Sequence, residues 1–230
     1  MKKLIAAGVI VLGATLSPAL AGSTPPYSWT GFYLSGGGGY GWWNAKNEEL
    51  PPFQGTTARS NGNGWFGTVG GGYDWQLAAP WIAGVFADAQ FGDNKGAILA
   101  PFQLYSGKIE NNVSFAAGLR VGYLVAPDTL LYANGGYSHA HFTGSYWFDT
   151  FLVPLSVKSQ QRDGWFIGGG LEHAFTAAPG WSAKIEYRFA EYGRKGVGWF
   201  YENSPLPYPG GNSFDVAVQT VSLSLVYRFK

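Results

Sequence analysis

His139 and His141 stand two residues apart, so within a strand both imidazoles point to one side. Two such rings could ligate a metal or a haem iron. An isolated H-x-H is common, and the plainer reading makes them interfacial residues near a strand end. His173 falls at the opposite end of its hairpin and cannot join them. The chain has no cysteine, and no G-x-S-x-G nucleophile elbow occurs. Gly36 to Gly39 is no phosphate cradle, because no helix follows to supply a dipole. No catalytic set, resident metal or cofactor is expected, so the chain does not read as an enzyme.

The ions carry more information. Asp74, Asp88, Glu172 and Glu186 sit on the polar faces of alternating stretches, and so do Arg120, Lys184, Arg188 and Arg228. The sharpest stretch is Trp181 to Phe189. Trp181, Ala183, Ile185, Tyr187 and Phe189 alternate strictly with Ser182, Lys184, Glu186 and Arg188. Val221, Leu223, Leu225, Tyr227 and Phe229 alternate likewise with Ser222, Ser224, Val226 and Arg228. Period two means strands with unlike faces.

Eight such stretches must position these ions. They begin near Gly31, Gly64, Trp81, Val113, Leu130, Trp165, Trp181 and Val221. Short turns at Leu77–Pro80, Ala126–Asp128 and Ala177–Gly180 alternate with long polar connections at Asn44–Asn63, Asp93–Glu110, Gly144–Gln161 and Gly193–Ser213. An even number of antiparallel strands with loop lengths segregated in this way describes a transmembrane barrel. The expected fold is all-β. It is a closed antiparallel eight-stranded transmembrane β-barrel with short periplasmic turns and long extracellular loops.

Composition agrees. Charged residues are 13% of the chain, against about 25% in soluble domains. Aromatics are 17% and glycines number 35, a combination poor for helices and good for strands. The net charge of +1 gives no reason to expect nucleic-acid binding. Lys2 and Lys3, the apolar run Leu4–Leu12 and the small residues Ala19-Leu20-Ala21 read as a secretory signal over residues 1–21. Residues 22–230 are then the barrel domain. No later stretch is apolar for long enough to span a membrane as a helix.

Alternation alone does not say which face is outside, and a soluble lipocalin-like barrel also alternates. Aromatics near strand ends, such as Phe32, Trp42, Trp65, Trp75, Trp81, Tyr123, Trp165, Trp181 and Phe229, suit two membrane interfaces. The polar faces carry few ions, and those nearly cancel. An eight-stranded interior is just wide enough to be filled by side chains, and charges there must be paired. Asp74, Asp88, Arg120, Glu172, Lys184, Glu186, Arg188 and Arg228 are therefore expected inside. Glu172 should face Lys184 across the turn at Ala178, and Asp88 should lie level with Arg120.

Several blocks carry a resemblance. Trp29-Thr-Gly-Phe-Tyr, then Gly164-Trp165 with Gly168-Gly169-Gly170, Glu172 and Phe175, and above all Trp181-Ser-Ala-Lys-Ile-Glu-Tyr-Arg are similar to a known family. It is the family of small alphaproteobacterial outer-membrane immunogenic proteins, the porin-family or opacity-like barrels. Tyr227-x-Phe229 resembles the signal read by the outer-membrane barrel assembly machinery, although Lys230 follows the aromatic. The resemblance implies an outer-membrane surface protein of the cell envelope, in contact with outer-membrane lipid and with envelope or host surface partners. The alternative it leaves is a narrow pore or haemin-type binder. Trp147, Phe148, Trp199, Phe200 and Tyr201 in the long loops are candidates for an interaction surface.

Overall fold

The computed structural model describes residues 27–49, 57–99, 106–148, 154–201 and 206–229. The first 26 residues, with the expected signal, lie outside them. The strands are β1 (Gly31–Glu49), β2 (Thr57–Ala78), β3 (Trp81–Leu99), β4 (Ser106–Ala126), β5 (Thr129–Phe142), β6 (Ser145–Phe148), β7 (Pro154–Val157), β8 (Gln160–Ala174), β9 (Trp181–Tyr201) and β10 (Pro207–Arg228). Eight of them form a ring in the order β1-β2-β3-β4-β5-β8-β9-β10, every neighbour antiparallel. The ring closes where β10 returns to β1, from Tyr33 opposite Arg228 to Glu49 opposite Asn212.

Three short turns sit at one end. The last needs a glycine: Gly180 has φ +86° and its carbonyl accepts from the Arg228 amide at 2.8 Å. At the other end the long loops are mostly sheet, a correction to the sequence reading. β1, β2, β3, β4, β9 and β10 have 19, 22, 19, 21, 21 and 22 residues. A membrane-spanning strand needs about 9–11. Asparagine, glycine and proline made those stretches look irregular, yet antiparallel pairing continues through them. Between β5 and β8 the wall breaks at Thr143–Gly144 and Lys158–Ser159. Beyond the break the β6–β7 hairpin resumes it, with β7 paired to β9 and β6 packed against β4.

The two halves of the barrel are lined oppositely. In the half next to the short turns, Phe32, Leu34, Leu119, Ile167, Ile185 and Leu223 point outward and are exposed. Ions lie within. Past the level of Trp42, Trp65, Phe115 and Trp165 the faces exchange roles. Asn44, Lys46, Asn61, Asn63 and Glu191 are exposed, while Trp43, Ala45, Phe142, Tyr192, Val216 and Val218 form a buried apolar core. The first half suits lipid outside; the second is an ordinary barrel for water. Register shifts between Phe91 and Asn94, Asn111 and Val113, and Phe214 and Val216 fall at this change, where an extra residue re-aims a strand.

Inward glycines let so narrow a ring hold large rings. Tyr33 lies opposite Gly72, Trp43 opposite Gly62, and Tyr132 opposite Gly170. A Cβ added at Gly72 would meet the Val85 carbonyl and lie 2.6 Å from the Tyr33 hydroxyl. Gly36 points outward, with nothing within 4 Å of such an atom. Gly72→Ala is therefore expected to lower unfolding stability by about 1–3 kcal/mol through overpacking. Gly36→Ala should leave it within about 0.5 kcal/mol. Urea titration in detergent, read by the mobility difference between folded and boiled protein, measures both.

The barrel interior as candidate functional site

Strand parity brings the polar faces of β2, β3, β4, β8, β9 and β10 together around one axis. Asp74 on β2 and Glu172 on β8 are both 0% exposed. Arg120 on β4 forks onto them: its Nε donates to Asp74 at 2.7 Å, a second nitrogen closes on the same carboxylate, and Nη1 reaches Glu172 at 3.0 Å. Arg228 on β10 completes the ring, 2.8 Å from Asp74 and 3.3 Å from Glu172. Ser182 donates at 2.8 Å to Glu172 Oε1, the same oxygen that Arg228 approaches. Two cations and two anions thus alternate without net charge. Tyr33 stacks between the arginines, its ring 4.7 Å from Arg120 and 5.1 Å from Arg228.

A second cluster sits further along. Arg188 on β9 grips both Asp88 oxygens, at 2.9 and 2.6 Å, and reaches Glu186 at 2.9 Å. Tyr132 and Asn134 donate to the other Glu186 oxygen, each at 2.9 Å. The guanidinium lies 4.5 Å from the Phe166 ring. Bidentate, charge-assisted bonds of this kind are what keep buried ions tolerable.

The lumen brings all eight predicted ions inward, and Glu172 faces Lys184 in register as expected, but Asp88 is not level with Arg120. Glu172 and Lys184 are register neighbours, yet no ion pair joins them. Glu172 bonds Arg120 and Arg228 across the lumen instead, and Lys184 is half-buried. Asp88 lies opposite Ala116, with Arg120 four residues on, opposite Gly84. Asp88 pairs with Arg188, and Arg120 with Asp74. Arginine is long enough to cross a narrow barrel, so adjacency along the sheet does not choose its partner.

Both ends of this polar column are stopped. At the short-turn mouth Trp29, Ile82 and Leu130 are fully buried. Trp29 donates to the Pro127 carbonyl at 3.2 Å, and Arg228 donates to the Trp29 carbonyl at 2.8 Å. At the other end stands the apolar core of Trp43, Phe142, Tyr192 and Val216. Between the Arg188 cluster and that core is a polar cavity of about 20 Å³, lined by Asp88, Gln90, Ser138 and Tyr192 among others. That is space for about one water molecule.

The remaining candidates lie elsewhere. His139 and His141 face outward near the exit from the apolar belt. His139 Nδ1 is bonded to Asp163 at 2.8 Å, and the same carboxylate oxygen accepts from Tyr137. Among the described residues no three His, Cys, Asp or Glu side chains converge as metal ligands. Trp147 and Phe148 fall on β6, and Trp199 falls near the end of β9; their side chains are outside the described residues. Phe200 and Tyr201, also on β9, pair with β7 and are half-buried, and Lys158 stands 4.4 Å from the Phe200 ring. Tyr227 and Phe229 end β10 and its exit, facing outward. Sequence reasoning missed Tyr132 and Asn134, which complete the Glu186 shell. Their place on the polar side of an alternating strand was the available signal.

On the outer polar wall Arg194 bridges Glu48 at 2.7 Å and Asp215 at 3.1 Å. Lys46 bonds Glu48 at 2.7 Å, and this bond, with Arg194 beside it, holds the Glu48 carboxyl below its usual range. Being exposed, this group adds little to stability.

Residues 7–229 match the family described as outer membrane protein beta-barrel domain. No curated relative matches the chain. Among solved structures it is similar to the outer membrane protein OprG from Pseudomonas aeruginosa, with 10% identity over 87% of this chain and 97% of that one, at a TM-score of 0.51. It also matches Ail, the attachment invasion locus protein of Yersinia pestis, with 15% identity over 85% and 98% and a TM-score of 0.39. A further match is the outer membrane protease OmpT from Escherichia coli, with 12% identity over 90% and 99% and a TM-score of 0.45. The OprG likeness is one of fold alone.

Removing one arginine from the four-membered ring leaves two buried carboxylates sharing a single cation. Arg120→Leu is expected to cost about 3–5 kcal/mol. Adding Glu172→Gln should recover part of the loss, a coupling that a double-mutant cycle reads directly. Lys184→Met, which breaks no ion pair, should cost under about 1 kcal/mol.

Proposed function

The chain belongs to the outer membrane protein beta-barrel family, and on that premise we propose that it serves the cell envelope as a structural and surface-interaction barrel rather than a wide pore. Its place is the cell outer membrane. The observation that carries the reading is the lumen, filled from mouth to mouth by Trp29 and Leu130, then two ion clusters, then the Trp43–Phe142–Tyr192 core. An ion entering it would have to displace arginines from carboxylates at two levels.

The length of the strands supports the surface role. β2 and β10, at 22 residues each, are about twice what a bilayer needs. The surplus is a polar-walled tower with its own core, standing clear of the lipid. A tower of that kind presents side chains to envelope or host surface partners. Tyr227 and Phe229, at the end of the closing strand, are read as the signal for the barrel assembly machinery, and residues 1–21 as the export signal.

Folded pure protein in planar bilayers is expected to give no large, stable conductance steps. Arg188→Ala combined with Asp88→Ala widens the mid-lumen and should raise the current measurably. Large open channels from the unaltered protein would end this reading.

A further inference from the structure

The ladder around the ring has a gap above the belt. β8 and β9 pair from Ala174 opposite Ser182 up to Gly164 opposite Tyr192, and there the pairing stops. It resumes only where β7 meets β9, at Ser156 opposite Phe200. Between these points residues 193–199 of β9 run along β10, and residues 160–163 of β8 pair with β5 on their far side. Among the described residues no backbone ladder joins the two facing edges. The open edge of β9 is about 20 Å long at the usual strand rise.

A row of free N–H and C=O groups is a template for another strand. In hydrocarbon it would be untenable, but this stretch stands in water, beyond the aromatic belt. Its composition suits close approach. Gly193, Gly196 and Gly198 lie in it, and a Cβ added at Gly193 or Gly198 meets nothing within 4 Å. At Gly164, where β8 and β9 do pair, such an atom meets the Glu191 carbonyl. Glycine inside a strand often marks a place where a second backbone comes near.

Side chains cross the gap where a strand does not. Lys195 donates to the Gln161 carbonyl at 3.2 Å, and Arg162 to the Gly193 carbonyl at 3.3 Å. Lys158 stands at the upper end, 4.4 Å from the Phe200 ring. Lys158 and Lys195 are exposed. Of the acids at the lower end, Asp163 is already held by Tyr137 and His139. The register of β9 on β10 also shifts between Phe214 and Val216. A bulge and a lysine on an edge discourage indiscriminate pairing. A guest strand with acidic side chains exchanges the Lys195–carbonyl bond for a charged one; a basic guest meets repulsion.

We infer that the open edge of β9 is a strand-addition site for an acidic, extended peptide segment of a surface partner. The backbone of residues 193–199 supplies the ladder, and Lys195 and Lys158 supply the countercharge. The inference rests on the surface-interaction reading and names the chemistry of its partner.

A dye-labelled synthetic peptide alternating valine and glutamate, added to the full folded chain in detergent micelles, tests this by fluorescence anisotropy and amide hydrogen exchange. The peptide should bind and slow exchange of the edge-facing amides within residues 193–199. An analogue N-methylated at alternate residues cannot complete a ladder and should not bind. Lys195→Glu should weaken binding about fivefold, the worth of one exposed ion pair. Arg59→Glu, at an exposed cation on β2, should leave it unchanged. The mobility of unboiled protein on a gel confirms that each variant is folded. No binding, no slowing at 193–199, or an equal loss in Arg59→Glu overturns the inference. So does slowing of the same amides by raised protein concentration alone, which would make the guest a second copy of this chain. A chain that binds no peptide and forms no channels sinks this inference alone; open channels sink the surface-barrel reading whatever the peptide does.

Discussion

A sheet in hydrocarbon cannot leave an edge unpaired, because each free N–H or C=O there costs several kcal/mol. Closure of β10 on β1 removes the edge, and the rest of the structure follows from the ring this makes. Eight strands give a lumen that side chains can fill and water cannot traverse freely. Every inward residue then competes for the same small volume. Glycines opposite Tyr33, Trp43 and Tyr132 are one answer, conceding their space to a neighbouring ring. Arginines that span the lumen are the other.

Those arginines are not there for stability in any simple sense. A buried ion pair roughly balances its own desolvation, and well-packed apolar residues often do as well. In this barrel the apolar alternative is visible in the same molecule, in the Trp43–Val216 core beyond the bilayer. The difference between halves is the outer solvent. Where the outer wall is apolar, a polar interior distinguishes inside from outside, so a one-residue slip of any of the six ion-bearing strands would put an ionised side chain into lipid. Such a slip flips the whole strand. Ion clusters at two levels therefore fix register where hydrophobicity could not. Beyond the bilayer the usual contrast of apolar core and wet surface does that job, and the ions move outward to Lys46, Glu48 and Arg194.

How far the sequence told this depends on the kind of contact. Which face each residue occupies was legible, because Trp181 to Phe189 and Val221 to Phe229 alternate against two unlike solvents. The partners of the ions were not. Asp88 and Arg188 are 100 residues apart on strands that are not neighbours, and nothing in strand parity encodes a contact across the lumen. Glu172 and Lys184 show the same failure from the other side: sheet neighbours in register that do not bond. The strand ends were misjudged for a different reason. Gly, Asn and Pro weaken a strand locally, but the pairing of β9 with β10 and of β1 with β2 holds them in the ladder. A signal was present in Trp43-Asn44-Ala45-Lys46 and Asp215-Val216-Ala217-Val218, which keep period two with the inner and outer chemistry exchanged.

That exchange also locates where this barrel can differ from others of its fold. In the belt, both faces are committed: the outside to lipid, the inside to neutral pairing. Substituting either disturbs folding before it changes function. Beyond the belt only the core is committed, and the outer wall is free to vary. The level between them has the least ordinary residues, since a side chain there meets headgroups rather than acyl chains or bulk water. Tyr137, His139 and Asp163 are bonded to one another at that level, and Tyr187 reaches Gln219 at 2.7 Å on the adjoining strands. Belt tyrosines are thus tied to the polar layer above them on two flanks. Glu191 lies between these two flanks and is exposed, so this level of the wall mixes tied and free polar groups.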